Sequence, residues 1–161
     1  MIRTAKPDDA AAICSIYNPY VLGTTITFEL EAVTVEAMAE RIVDVSAILP
    51  WVIFEADGAV KAYAYATRWK AARPAYRYSV ETTIYVGDNY RGQGLGARLY
   101  RDLIDKLKQQ GMHRAIGGIA LPNAGSLALH EKLGFKKVAH FEQVGWKFDR
   151  WIDVGYWQLS L

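Results

Sequence analysis

Three glycines fall within five positions in Tyr90-Arg91-Gly92-Gln93-Gly94-Leu95-Gly96-Ala97-Arg98-Leu99-Tyr100, and an amphipathic helix starts directly behind them. The first N–H groups of a helix have no partner inside it, and the helix dipole adds partial positive charge at that end. Glycines let phosphate oxygens approach several such N–H groups at once. A tight strand-to-helix turn needs only one glycine; three of them behind Arg91 favour a phosphate ligand. Just upstream, Val80-Glu81-Thr82-Thr83-Ile84-Tyr85-Val86 reads as a strand carrying one carboxylate. Alternation puts Glu81, Thr83 and Tyr85 on one face and Val80, Thr82 and Ile84 on the other. A carboxylate on a central apolar strand is costly unless it is used or paired. Cys14 is the one cysteine and lies among Ala12, Ile13 and Ile16, which favours core packing over nucleophilic chemistry.

Two phosphate motifs are excluded by spacing. A P-loop needs Gly-Lys-Ser/Thr at the helix start, where this chain has Gly96-Ala97-Arg98. A dinucleotide fingerprint is G-x-G-x-x-G, and Gly92-x-Gly94-x-Gly96 is one residue short of it and sits mid-chain.

The elements that must position these residues follow from periodicity. Ile2 and Arg3 open a short strand. Pro7-Asp8-Asp9 starts a helix whose apolar residues Ile13, Ile16, Tyr17 and Tyr20 recur at helical spacing, and Asn18-Pro19 should end or bend it. Thr24-Thr25-Ile26-Thr27-Phe28 reads as extended. Thr34 caps a second helix with Met38, Ile42 and Val45 on its inner face. Trp51 to Ala56 and Val60 to Thr67 form a hairpin around Asp57-Gly58. Tyr76 to Val86 is a long strand. Leu95, Leu99, Leu103 and Leu107 line one face of the helix behind the glycines, which ends at Gly111. Ala115 to Ala120 is a buried strand, Ser126 caps a short helix carrying Leu127, His130 and Leu133, and Phe135 to Leu161 forms two strands around an aromatic turn. The order βααβββαβαββ implies one domain over residues 1–161, a mixed α/β fold with a single sheet and helices on both faces.

Bulk properties narrow the function. Apolar residues make up 52% and charged residues 22%, so the chain is globular. A net charge of +2 disfavours nucleic acid as the main partner. No apolar run approaches the ~20 residues of a membrane span. No signal peptide is read at the N-terminus, and a lone cysteine suits the cytoplasm.

Arg91-Gly92-Gln93-Gly94-Leu95-Gly96 resembles the R/Q-x-x-G-x-G/A pyrophosphate loop of the GNAT superfamily of acetyl-CoA-dependent N-acetyltransferases. Asn123-Ala124-Gly125-Ser126 and Leu129-His130-Glu131-Lys132-Leu133-Gly134-Phe135 extend that likeness. Four stretches in order resemble its phosphinothricin and methionine sulfoximine N-acetyltransferase branch. They are Ile16-Tyr17-Asn18, Thr24-Thr25-x-Thr27-Phe28-Glu29, the Val80–Val86 strand, and Val144-Gly145-x-Lys147-Phe148-x-Arg150-Trp151-x-Asp153.

The resemblance implies a GNAT fold with a mostly antiparallel sheet, acetyl-CoA as co-substrate and no metal. It implies that the backbone of Arg91, Gly92, Gln93, Gly94, Leu95 and Gly96 holds the pyrophosphate. Ile84, Tyr85 and Val86 would pair with the pantetheine arm, and Asn123 and Ser126 would contact the cofactor nearby. A backbone N–H of the same strand stabilises the oxyanion. Glu81 is the expected general base, directly or through a water, with burial raising its pKa toward working pH; the bland alternative is an exposed strand glutamate. His130 occupies the place where the superfamily often has tyrosine; it donates to the thiolate, positions a water, or only contacts the cofactor. The acceptor is the α-amino group of a small glutamate or methionine analogue. Arg73 and Arg77 suit its acidic groups, or are solvated surface arginines. Phe28 and Trp69 wall the pocket, or pack in the core. The aromatic, basic run Gly145 to Trp151 resembles a turn near the acceptor site and a two-fold dimer contact. Two other readings stay open: a protein or peptide N-acetyltransferase of the same fold, and a non-catalytic CoA-binding regulatory module.

Overall fold

A computed structural model describes all residues, 1–161. The elements run β1 (Ile2–Thr4), α1 (Ala10–Gly23), α2 (Val35–Ser46), β2 (Trp51–Ala56), β3 (Ala59–Arg68), β4 (Ser79–Val86), α3 (Leu95–Gln109), β5 (Arg114–Ala120), α4 (Ala124–Lys132), β6 (Lys136–Lys147) and β7 (Arg150–Ser160). They form one seven-stranded sheet in the order β1-β2-β3-β4-β5-β7-β6. Every pairing is antiparallel except β4 with β5.

At β2 and β3 the sheet is buried on both faces, as their apolar runs require. On β2, Val52 and Phe54 pack with Leu99, Leu103 and Leu107 of α3, while Trp51 and Ile53 pack with Ile13 and Val21 of α1 and Met38 and Ile42 of α2. The leucine ladder of α3 thus faces the sheet as its spacing predicts. The Asp57-Gly58 turn is left-handed at both residues, φ 52° and 69°, the shape a two-residue hairpin needs. Thr34 caps α2 by accepting the Ala37 N–H at 3.1 Å. No helix is long and apolar enough to cross a membrane.

Four local expectations need correction. Helix α1 does not stop at Asn18-Pro19 but continues to Gly23. Proline inside a helix costs about 3 kcal/mol, but Tyr20 and Val21 beyond it are both buried, and burial of such side chains returns about 1.5–3 kcal/mol each. Thr24 to Phe28 is not a strand but a bent coil. The Thr24 hydroxyl donates to the Tyr20 carbonyl at 2.7 Å and accepts the Ile26 N–H at 3.1 Å, a local alternative to a sheet ladder. Strand β4 begins at Ser79, because Pro74–Tyr76 closes a 3₁₀ turn. The cap of α4 is Asn123, whose Oδ1 accepts the Ser126 N–H at 3.1 Å; Ser126 lies inside the helix.

Candidate active site

Strands β4 and β5 pair only at their beginnings, over Ser79–Glu81 against Arg114–Ile116. Beyond Glu81 they diverge, and no strand lies opposite that edge of β4. Hydrogen bonds from Trp69 N–H to the Ser79 carbonyl and from Gly87 N–H to the Lys61 carbonyl fix the ladder phase with β3. Main-chain groups of residues 81, 83 and 85 therefore point to β3, and those of Thr82, Ile84 and Val86 point into the gap. Of the three residues expected to pair with a pantetheine arm, Ile84 offers its main chain there and Val86 its N–H, the Val86 carbonyl being taken by the Tyr20 hydroxyl. Tyr85 does not; its ring packs edge-on against Tyr17 and Tyr20, each 5.0 Å between centroids.

At the wide end of the gap lies the glycine loop. Gly92 and Gly94 are left-handed, φ 75° and 76°, and a Cβ on either would meet open space. Gly94 precedes α3 without a side-chain cap. The first N–H returned to this turn is that of Arg98, which bonds the Gly94 carbonyl at 3.2 Å. The N–H groups of Leu95, Gly96 and Ala97 thus have no helical acceptor, which makes this end an anion cradle. A Cβ at Gly96 would make ordinary contacts, 3.5 Å from Val86 and 3.6 Å from Leu129, so α3 already packs close to the gap here. Gln93 is tied back to the Asn89 carbonyl at 3.0 Å.

Arg91 is exposed and pre-positioned. It pairs with Asp88 at 2.7 Å, and its Nε donates to the Tyr20 hydroxyl at 3.2 Å with the guanidinium 4.8 Å over the Tyr20 ring. The Tyr20 hydroxyl donates in turn to the Val86 carbonyl at 2.6 Å. One phenol therefore links the loop arginine to the strand edge. Replacing Tyr20 by Phe removes both bonds and keeps the ring. The expected result is binding of the co-substrate the resemblance implies, acetyl-CoA, weakened about 3- to 10-fold, the size of about one net hydrogen bond, read by calorimetry.

Glu81 is half-buried in the floor between the two ends. Burial pushes its carboxyl above the ordinary carboxylate range, and no charged group opposes that shift. It borders two cavities. One, about 250 Å³, reaches along the gap past Thr82, Ile84, Asn123, Ser126 and His130. The other, about 590 Å³, opens between Ile26 and Phe28 on one side and Phe141, Val144, Trp146 and Tyr156 on the other. A separate hollow of about 660 Å³ lies among Arg3, Asp8, Asp9, Glu55 and Tyr90, remote from Glu81. Its arginine is already held by Asp9 and Glu55.

His130 is buried, and both ring nitrogens are engaged. Nδ1 donates to the Ser126 carbonyl at 2.7 Å, so Nε2, 3.1 Å from the Tyr100 hydroxyl, carries the lone pair. Tyr100 also bonds Thr82 at 2.6 Å. Burial lowers the histidine pKa and keeps the ring neutral. The ring fits only because residue 117 is glycine, where a Cβ would fall 2.6 Å from Nε2.

The narrower cavity brings together Glu81, His130, Ile84, Tyr85, Asn123, Ser126 and Phe28; Val86 and the loop from Arg91 to Gly96 line neither Glu81-bordered cavity. The structure does not bring Arg73 and Arg77 to either Glu81-bordered cavity; both are exposed between β3 and β4, with Arg77 over the Tyr78 ring. Trp69 also lies outside the lining and reaches it only through Tyr156, edge-on at 5.7 Å. Tyr17, Tyr65, Gly118 and Tyr156 line the cavities and were not singled out from sequence. The signal for Gly118 was present: paired glycines inside a strand mark close approach. A Cβ at 118 would stand 3.1 Å from Tyr156 and 3.6 Å from the Glu81 Oε1.

Comparison with known proteins agrees with this geometry. The profile of the acetyltransferase (GNAT) domain matches residues 2–155. The chain is 38% identical to the phosphinothricin N-acetyltransferase of Streptomyces viridochromogenes, over 98% of this chain and 85% of that protein. It is 36% identical to the L-methionine sulfoximine/L-methionine sulfone acetyltransferase of Salmonella typhimurium, over 99% of this chain and 94% of that protein. The fold superposes with TM-score 0.95 on a phosphinothricin acetyltransferase of Sinorhizobium meliloti solved with acetyl-CoA, 32% identical, covering 100% of this chain and 88% of that one. A glycine cradle at a helix N-terminus, a splayed parallel strand pair and a whole-length match to named acetyltransferases place this chain in the GNAT acetyltransferase family.

Proposed function

We propose that this chain moves the acetyl group of acetyl-CoA to the α-amino group of a small amino-acid analogue of the phosphinothricin, methionine sulfoximine or methionine sulfone type. The observation that carries the chemistry is Glu81, a half-buried carboxylate without a counter-charge, at the point where the gap between β4 and β5 meets the open aromatic cavity. The relatives' names supply the acceptor class.

In this reading the pyrophosphate lies against the N–H groups of Gly92 to Ala97, with Arg91 beside it. The pantetheine arm runs along the exposed edge of Ile84 and Val86, past Asn123 and Ser126. The thioester then stops near Glu81. Glu81 takes one proton from the acceptor ammonium, directly or through a water. The freed amine attacks the thioester carbonyl carbon, and the developing oxyanion meets a main-chain N–H on the open edge of β4. The C–S bond breaks, and the proton lost by the acylated nitrogen balances the one gained by the thiolate. His130 acts here through position: its neutral ring joins Tyr100 of α3 to Ser126 of α4 and so holds the two helices that flank the gap. Phe28 walls the acceptor cavity.

A two-fold homodimer belongs to the same proposal. Phe141, Val144, Trp146, Phe148 and Trp151 are each more than half exposed on the β6–β7 hairpin. Three of them also border the open cavity. A second copy covering this face would shield the acceptor from water, and sedimentation would show twice the chain mass.

The test of the function is thiol release from acetyl-CoA with phosphinothricin, methionine sulfoximine, methionine sulfone, free amino acids and a peptide. Turnover on the first three supports the reading. Turnover confined to the peptide, or none with any acceptor, overturns it.

A further inference from the structure

We infer that Lys147 is a positioning residue for the acceptor amine: its buried ammonium fixes the coil that forms one wall of the open cavity. The inference rests on the acceptor reading above.

Lys147 ends β6 and is 3% exposed, more deeply buried than any other charged side chain. Burial of an ammonium is unfavourable unless its N–H groups are met. Here two of the three are met by neutral carbonyls. Nζ donates to the Val21 carbonyl at 2.6 Å and to the Thr27 carbonyl at 2.8 Å, reaching back 126 and 120 residues. Glu29 is near enough to favour the charged form, but its carboxylate is held by Arg41 at 2.6 and 3.0 Å. The ammonium is therefore not half of an ion pair, and its geometry is set by where two carbonyls must sit.

Both carbonyls belong to one stretch of chain. Val21 lies in the last turn of α1, among the carbonyls that lack a helical donor, at the negative end of the dipole. Thr27 lies in the bent coil that follows. By holding both, Lys147 sets how far the coil departs from the helix end. The same coil supplies Ile26 and Phe28 to the open cavity. A second contact from the same strand agrees. Alternation puts Gly145 on the face of Lys147, and the Phe28 ring lies so close to Gly145 that a Cβ there would fall 2.2 Å from it. The strand thus touches the coil at two points, a ring on a glycine and an ammonium on a carbonyl. On the coil's other side, the Thr27 hydroxyl bonds Tyr17 at 2.7 Å. No comparable bond runs from Lys147 to the glycine loop or to the open edge of β4.

The prediction is a split between substrates. Lys147→Met raises the acceptor KM about tenfold, while the calorimetric Kd for acetyl-CoA stays within twofold of wild type. Lys147→Arg keeps the cation and its donors and recovers part of the acceptor KM. A role in stability alone would lower the melting temperature and leave the acceptor KM unchanged well below it. If Lys147→Met does not fold, Lys147→Arg carries the test, because its longer fork displaces the Thr27 carbonyl and raises the acceptor KM several-fold. A folded variant with wild-type acceptor KM, or with acetyl-CoA binding weakened in parallel, overturns the inference alone. Absence of turnover by the wild-type protein on every amino-acid analogue overturns the function and this inference with it.

Discussion

Glu81→Gln lowers kcat by about 10²- to 10⁴-fold, the range of one positioned general base, and leaves the Kd for acetyl-CoA within twofold. In barrier terms this is about 3–5 kcal/mol. The substitution keeps the shape of the side chain and removes only its ability to take a proton. A CoA-binding module without catalysis would be indifferent to it. The pH dependence supplies an independent sign. As the proposed base Glu81 must be a carboxylate, and burial raises its pKa, so kcat/KM should rise with pH through a limb above the ordinary carboxylate range. That limb is absent in the glutamine variant. Stability moves the opposite way. A carboxyl whose folded pKa lies above its unfolded value binds more protons when folded, so its burial lowers stability as pH rises between the two values. The glutamine variant should therefore melt above wild type at neutral pH. The gap should close as pH falls through the raised pKa toward the unfolded one. Equal activity, or a melting gap that widens in acid, would falsify the assignment.

What sequence reading captured and what it missed divide along a physical line. The leucines of α3 repeat every four residues, the β4 side chains alternate, and Asp57-Gly58 has the turn chemistry of a hairpin; each is a local period or a local torsion. The glycine turn was legible for the same reason, since the helix end and the missing side chains lie within a few residues. The misses concern competition between local and distant terms. Pro19 is a local helix breaker, overruled by burial of Tyr20 and Val21 against a sheet built far later in the chain. Thr24 to Phe28 has strand propensity, but the Thr24 hydroxyl takes the local backbone groups, and a lysine 120 residues away holds Thr27. Arg73 and Arg77 matched the acceptor's charge by type alone, and charge type carries no information about which cavity a loop faces. Tyr20 was read as core from its spacing, which is correct for its ring. Its hydroxyl, bridging Arg91 and Val86, depends on three segments meeting, which no window of sequence contains.

Gly94→Val weakens acetyl-CoA binding about 100-fold, equivalent to about 2.7 kcal/mol, with a much smaller change in kcat at saturating acetyl-CoA. Two costs combine. Residue 94 is left-handed at φ 76°, a conformation in which a β-branched side chain is a genuine outlier. Relaxing it turns the free N–H groups at the start of α3 away from a common point, and those groups are the proposed anion cradle. The surrounding protein does not itself forbid a side chain, since no atom lies within 4 Å of the added Cβ. The penalty thus falls on backbone and ligand rather than on packing. Gly58 provides the control. It is left-handed at φ 69°, its Cβ would also meet open space, and it lies in the β2–β3 turn away from α3. Gly58→Val carries comparable backbone strain and should lower the melting temperature while leaving acetyl-CoA binding intact. If the two variants lose affinity equally, the loss reports general destabilisation and the cradle is not the phosphate site. If only Gly94→Val loses it, and Arg91 still rests on Tyr20, the binding energy resides in the bare main chain at the head of α3.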